Sequence, residues 1–494
     1  MGFNLSASYI PLSAMSMTQQ DKVSNVDCSW GETPLRQRCR KVAKVASVIA
    51  EGGEKWAAMC LRDWREDSLT TVSGELLPLC AALKWIGKVG PKVLGPSRLS
   101  VMGRPIWLWG VRNEIHRAPH GEVLILGSWN YPLLLVGVQI AQALAAGNRV
   151  LFKPAEGCEE ISRELTEAFY ACGIPHDALR CLDSSASSAI AAIERGVDLI
   201  VLTGSAKTGK AVFRQAADTL TPMILELSGC DAVVACPDAD FQRVADCVVF
   251  GLTFNGGATC IGPRRLIAEH SDAQSLLQLL LAKLSSAEAV AIHPAAKDSV
   301  IELIGKAFAS GAIDLTGQFS LQELKETGRM RPLVLGGLEP DSEIANADVF
   351  APVITLLSVE EIKDCVAIIN QCRYRLAASV FGRQPYANQL AEQLHVGSVT
   401  VNDLIVPTAD PRTPFGGRGE SGFGVTRGKD GLLAMSIPVL KSQRKGSFLP
   451  HLYFNRDEDS KILLASLQLL HGVSIKSRWR GLRRMIQNAR RRGN

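Results

Sequence analysis

Cys260, Glu226 and Asn130 are the side chains whose types and settings could do chemistry. Cys260 ends the stretch Asn255-Gly256-Gly257-Ala258-Thr259-Cys260. Two glycines in a short polar run give a loop that can bring a thiol close to a ligand. A loop thiol beside backbone N–H groups ionises more readily than a free one. Glu226 lies 34 residues earlier, after Met223-Ile224-Leu225 and before Leu227. A carboxylate in that apolar setting is costly to bury unless it has a task or a partner. Asn130 closes Gly127-Ser128-Trp129-Asn130 before Tyr131-Pro132, where its amide could donate to an oxyanion. Each residue alone also has a plain reading: a buried loop cysteine, an ion-paired strand end, a turn asparagine.

The flanking sequence predicts the elements that must position them. Residues 34–94 read as helical, with Val42, Val45, Val48 and Ile49 at helical spacing and Trp56, Met59, Cys60 and Trp64 continuing the pattern. Arg104 to Ala118 alternates in part and contains Asn113-Glu114, which predicts two extended strands joined by a turn. Strands then alternate with helices: strands at 122–126, 149–152, 199–202 and 223–225, with helices at 133–144, 159–172 and 210–217. Short apolar strands alternating with helices indicate a parallel sheet with crossover connections. Ligands bind beyond the carboxyl ends of such strands. Ser128-Trp129-Asn130, Lys153, Ser205 and Glu226 stand at those ends. A second alternating region runs from Cys230 to about Val425, with strands at 353–357, 377–381 and 398–401. The glycine-dense stretch Pro414 to Gly424 reads as a loop.

Length and composition bound the alternatives. The chain has 494 residues, enough for two or three domains. Its 47% hydrophobic and 21% charged residues are ordinary for a soluble globular protein. The net charge of +5 is unevenly placed: residues 461–494 hold nine Lys or Arg and no Asp or Glu, which leaves the rest of the chain slightly acidic. Such a body is not that of a nucleic-acid binder, and no nucleic-acid partner is expected. Thirteen scattered cysteines with no C-x-x-C pair argue against a disulfide framework and a zinc site, and suit a reducing, cytoplasmic setting. No apolar run reaches membrane-spanning length, and the N-terminus lacks the pattern of a cleaved secretory signal. Met1-Gly2 with Ser6 fits a myristoylation pattern, and Met15 and Met17 are alternative starts.

Taken together and in order, the motifs resemble the aldehyde dehydrogenase superfamily. The pieces are Gly127-Ser128-Trp129-Asn130-Tyr131-Pro132, Lys153-Pro154-Ala155-Glu156, Thr203-Gly204-Ser205, Leu225-Glu226-Leu227-Ser228-Gly229, the Cys260 loop, Phe350 before Pro352, Thr400-Val401-Asn402-Asp403, and Pro414-Phe415-Gly416-Gly417. The wording around Asn130 and Asn402 and the short N-terminal region are most similar to the class-3-like branch of fatty and aromatic aldehyde dehydrogenases. The resemblance implies an α/β fold with a Rossmann-type nucleotide-binding domain (27–100 and 120–228) and an α/β catalytic domain (229–433). It also implies a small β bridging element (101–119 and 434–446) that builds a homodimer. It implies NAD(P)-dependent oxidation of an aldehyde to a carboxylic acid. Cys260 would attack the aldehyde and carry a thioester, Asn130 and the Cys260 N–H would hold the oxyanion, and Glu226 would activate the hydrolytic water. Trp129, Lys153, Glu156, Gly204, Ser205, Asp348 and Phe350 would hold the cofactor. Glu156 accepts from a ribose hydroxyl and repels a 2′-phosphate, which favours NAD, with NADP as the alternative. No metal is implied.

The chain also departs from the family pattern. Asp348-Val349-Phe350-Ala351-Pro352 stands where the family has Glu-x-Phe-Gly-Pro. Ser228 and Cys230 replace a glycine and a lysine, and Val425-Thr426-Arg427-Gly428 replaces Arg-Tyr-His-Gly. Two other readings stay open: a thioester-forming, coenzyme A-linked reductase, against which Glu226 argues, and a catalytically retired member serving as a binding protein. In the tail, 461–494, Leu463, Leu467 and Leu470, then Trp479, Leu482 and Ile486, follow a roughly helical spacing beside many arginines. That is the pattern of a solvated tail, of an interfacial helix on an anionic membrane, or of a partner-binding segment.

Overall fold

The computed structural model describes residues 29–447, 449–452 and 457–492. The myristoylation pattern, the alternative starts and Cys28 lie outside them. The chain divides into two compact units. One runs to Gly95 and resumes over Arg117–Ile437; the other combines Pro96–His116 with Pro438–Asn494.

The larger unit holds two sheets. In the first, parallel strands β1 (Glu122–Leu126), β2 (Arg149–Lys153), β3 (Leu179–Cys181), β4 (Leu199–Gly204) and β5 (Met223–Leu227) lie in the order β5-β4-β1-β2-β3. Alternate residues face opposite ways, as the pleat dictates. Val123, Ile125, Val150, Phe152, Leu199 and Val201 join one buried cluster with the helices Leu35–Glu51, Leu77–Val93 and Leu134–Ala146. Leu124, Leu126, Leu151, Ile200, Leu202 and Leu225 join the other, against Ala186–Arg195 and Ala206–Ala217. Both faces are covered, which is why these strands read as unbroken apolar runs.

The second sheet has seven strands. Its centre is Val353–Val359, Pro263–Glu269, Asp231–Ala235 and Ala377–Phe381, all parallel neighbours, with Ser398–Val401 parallel at one edge. Every residue of Leu134–Ala146 is buried. That helix nevertheless carries Gln139 and Gln142, whose partners belong to the candidate site.

Two local expectations are corrected. Asn113-Glu114 is not a turn: it lies within the single strand Val111–Pro119, where Glu114 pairs across to Arg98. Only a short 3-10 turn, Ile106–Leu108, precedes that strand. The glycine-dense stretch is not all loop either. Gly422–Phe423 pairs antiparallel with β5, placing Gly422 opposite Glu226. Gly422 has φ +98°, and a Cβ there would fall 2.0 Å from the Leu225 carbonyl oxygen, so the sheet closes at this edge only with glycine.

Ser97–Arg98, Val111–Pro119 and Ser436–Arg444, most of whose residues belong to the smaller unit, form a three-stranded sheet with Ser436–Arg444 at one edge. The tail folds as two helices, Asp457–His471 and Ile475–Arg492.

Candidate active site

Cys260, Glu226 and Asn130 converge on one cavity of about 970 Å³ in the larger unit. Trp129, Lys153, Gly204, Ser205, Asp348 and Phe350 also line it. Glu156 does not: it is exposed just past the end of β2.

The Cys260 loop is held by its backbone. Asn255, Gly256 and Gly257 follow one another at φ 54°, 60° and 74°. Such a left-handed run suits glycine and asparagine and few other residues. A Cβ on Gly257 would sit 2.6 Å from the Ala351 carbonyl carbon and the Pro352 nitrogen, so the loop packs directly on the segment after Phe350. The buried Arg264 donates to the carbonyls of Gly257 (2.8 Å) and Thr259 (3.1 Å), and more weakly to that of Ala351 (3.5 Å). Asn130 Nδ2 donates to the Ala258 carbonyl at 3.0 Å. One amide hydrogen therefore braces the loop, leaving the other to point elsewhere.

Beneath Asn130 lies a polar cluster that sequence reading missed. Arg65 donates to the Asn130 carbonyl, to Glu75 and, at 3.0 Å, to Asn255 Oδ1. Asn255 Nδ2 reaches the same Asn130 carbonyl at 3.0 Å. The other Glu75 oxygen accepts the backbone N–H groups of Leu133 (2.6 Å) and Leu134 (3.0 Å), at the start of the helix that runs to Ala146. A carboxylate there is favoured by the helix dipole and satisfies otherwise orphaned donors. One buried ion pair thus ties together the Asn130 turn, the Cys260 loop and a core helix.

Glu226 is buried among side-chain donors. Gln139 Nε2 reaches its carboxylate at 3.0 Å, the Thr203 hydroxyl lies 3.4 Å from it, and the Thr426 hydroxyl bonds its other oxygen. This explains the polar residue in the wholly buried helix: Gln139 bridges Thr203 (2.9 Å) and Glu226. Burial pushes the Glu226 carboxyl above its ordinary range, against the Arg427 charge and these donors. Arg427 has φ 58° and ψ 171°, a conformation rare outside glycine. That turn delivers the Thr426 hydroxyl to Glu226, points the Arg427 N–H at Gln142 Oε1 (3.3 Å), and lays the guanidinium 4.6 Å from the centroid of Phe415. Phe415 lines the cavity.

Burial pushes Cys260 up to about 12, with the nearby acidic Asp231 adding to the rise and Arg427 opposing it.

Asp348 is pushed up to about 6 by burial, with the Ser228 hydroxyl and the Arg264 charge opposing the shift. Above this value the folded protein holds a poorly solvated carboxylate that the unfolded chain, with an ordinary 3.8, would not. Between those two values the folded state binds more protons, so this group lowers stability as pH rises through the window and holds the loss above it. Asp348→Asn is expected to be near neutral at pH 4 and to stabilise by on the order of 3 kcal/mol at pH 7.5. Urea unfolding at the two values checks this; an equal effect at both would contradict it.

An aromatic group flanks the cavity. Trp129 stacks on His293 with centroids 3.8 Å apart, and Trp64 and Phe350 meet that pair edge-on. Burial lowers His293 to about 4, so at neutral pH its ring adds no charge. Ser205 opens the helix Ala206–Ala217 and caps it by accepting from Thr208 N at 3.1 Å. Lys153, half-buried, ends β2. A cavity lined by a helix N-terminus and a lysine as well as by a thiol, a carboxylate and an amide can hold a phosphorylated cofactor against a reacting carbonyl.

Comparison with known proteins gives a family match, aldehyde dehydrogenase family, over residues 17–438. The chain is 29% identical to a 4,4'-diapolycopene-4,4'-dial dehydrogenase of Cytobacillus firmus, covering 83% of this chain and 90% of that protein. It is 26% identical to aldehyde dehydrogenase family 3 member A2 of Mus musculus, covering 88% and 90%. Among solved structures, an NAD-dependent aldehyde dehydrogenase from Sinorhizobium meliloti superposes with a TM-score of 0.78 at 24% identity, covering 86% and 85%. An aldehyde dehydrogenase of Mycobacterium tuberculosis complexed with NAD+ gives 0.76 at 23% identity, covering 84% and 86%.

Proposed function

The chain belongs to the aldehyde dehydrogenase family, and from that premise we propose that it oxidises an aldehyde to the carboxylic acid through a thioester on Cys260. The observation that carries this reading is the convergence of Cys260, Glu226 and Asn130 on one cavity. The Cys260 sulfur adds to the aldehyde carbon as its proton passes to solvent, giving a thiohemiacetal with its oxygen charged. The free hydrogen of the Asn130 amide and the Cys260 N–H stabilise the oxygen that gains charge. A bound NAD would supply the acceptor for the hydride on that carbon, and Cys260 would then carry the acyl group as a thioester. Glu226 takes a proton from water as the water attacks the thioester, and the acid leaves with Cys260 restored to a thiol. A carboxyl raised by burial suits this work, because it holds a proton more tightly than a free glutamate does.

Ser205 and the N-terminus of Ala206–Ala217 would receive the cofactor pyrophosphate, and Lys153 the adenosine ribose. Asp348 and Phe350 would border the nicotinamide end. Glu156, exposed and near the end of β2, would disfavour a 2′-phosphate, so NAD is preferred to NADP. The uncharged aromatic group around Trp129 supports an apolar aldehyde. In the smaller unit, the edge strand Ser436–Arg444 exposes Val439 and Leu440, which supports a homodimer built there. The described cysteines are all free thiols, in keeping with a reducing, cytoplasmic compartment.

The test is NADH formation at 340 nm with aliphatic and aromatic aldehydes, with NAD, with NADP, and with and without coenzyme A. Turnover with NAD and no coenzyme A, weaker with NADP, is expected. A strict coenzyme A requirement would transfer the assignment to an acyl-transferring reductase. Cofactor binding without turnover would transfer it to a retired enzyme.

A further inference from the structure

We propose that the C-terminal helical pair is a docking surface for an anionic lipid bilayer, engaged in the plane of the membrane. The pair is a formed unit. Its helices are joined by Gly472-Val473-Ser474 and cross closely at Gly481, where a Cβ would fall 2.5 Å from Leu469 N and 2.9 Å from the Ala465 carbonyl. Gln468 holds the crossing, donating to Ser477 at 3.3 Å and accepting from Arg484 at 3.4 Å.

That packing uses one side of the second helix and leaves its apolar side uncovered. Ile475, Trp479, Leu482 and Ile486 recur at spacings of four, three and four, which places them in one stripe. Ile475 is 76% exposed, Trp479 59% and Ile486 44%. Val473 at the junction is fully exposed. Beside the stripe, at 100° per residue, Lys476, Arg480, Arg483 and Arg490 occupy the neighbouring sector. No acidic residue occurs from 461 onward; Asp457, Glu458 and Asp459 stand at the opposite end of the first helix.

An aliphatic and tryptophan stripe bordered by a cationic sector matches the two layers of an anionic membrane surface: acyl chains for the stripe, phosphate headgroups for the arginines. A nucleic acid would meet the arginines but leave the stripe in water. A second copy would bring two strongly cationic helices together. None of the described helices is long and apolar enough to cross a membrane, so contact would be interfacial.

Flotation of the full-length protein with vesicles of phosphatidylcholine alone, or mixed with phosphatidylglycerol, tests this without any substrate. Binding to the anionic vesicles, weakened by salt and accompanied by a blue shift in tryptophan emission, is expected. Arg480→Glu with Arg483→Glu should weaken binding on the order of a hundredfold at low salt. Trp479→Ser with Ile486→Ser should weaken it about tenfold or more, with aldehyde turnover of both variants unchanged. Failure to bind anionic vesicles, retention of binding by the stripe variant, or tighter binding to duplex DNA than to vesicles would each overturn the proposal. Because the readout is binding, these failures are distinct from a failure of the aldehyde dehydrogenase reading.

Discussion

Cys260→Ala is expected to lower aldehyde-dependent NADH formation by about 10⁴-fold or more, leaving only the residual effect of binding and the oxyanion donors. The effect is large because the substitution removes the atom to which the acyl group must be bound, and no neighbour supplies another. Fold and cofactor binding should survive. The loop is held through the carbonyls of Gly257, Ala258 and Thr259, by Arg264 and Asn130, and none of those bonds uses the thiol. Steady-state rates beside NAD titration by fluorescence check this. Retention of a substantial fraction of the rate by the alanine variant would mean that the chemistry does not pass through Cys260.

Glu226→Gln should produce a different failure. The amide keeps the volume of the carboxylate and can still meet Gln139, Thr203 and Thr426, but it cannot take a proton from water. Thioester formation should proceed and hydrolysis should stall. The expected record is a burst approaching one NADH per site followed by a steady rate lower by roughly 10²–10⁴-fold. Loss of the burst together with turnover would place Glu226 at or before hydride transfer instead.

Much of this site is legible in the chain because its central groups sit at the ends of strands. Glu226 falls inside the apolar strand Met223–Leu227 and Asn130 just beyond Glu122–Leu126, so the parallel-sheet reading brings both to the same edge. The groups that hold them were not legible. Arg65 is separated from Asn255 by 190 residues and Thr426 from Glu226 by 200, and nothing in local periodicity pairs such positions. Gln139 and Gln142 offered a signal, two glutamines in an otherwise apolar helix, which implies buried polar partners without naming them. The charged groups that bear on the Cys260 thiol, Asp231 and Arg427, likewise belong to distant segments. The glycine-dense stretch hid a strand because Gly422 is required by the approach of Leu225, not by a turn.

The central claim is that the substrate's acyl group passes through Cys260 and is released by water at Glu226. Mass spectrometry of the Glu226→Gln protein, quenched in acid after one turnover with NAD and an aliphatic aldehyde, addresses it most directly. The account predicts an added acyl mass on the peptide containing Cys260, in amount matching the NADH burst and removed by hydroxylamine. An unmodified Cys260 peptide after NADH has formed, or the acyl group on another of the thirteen cysteines, would contradict it.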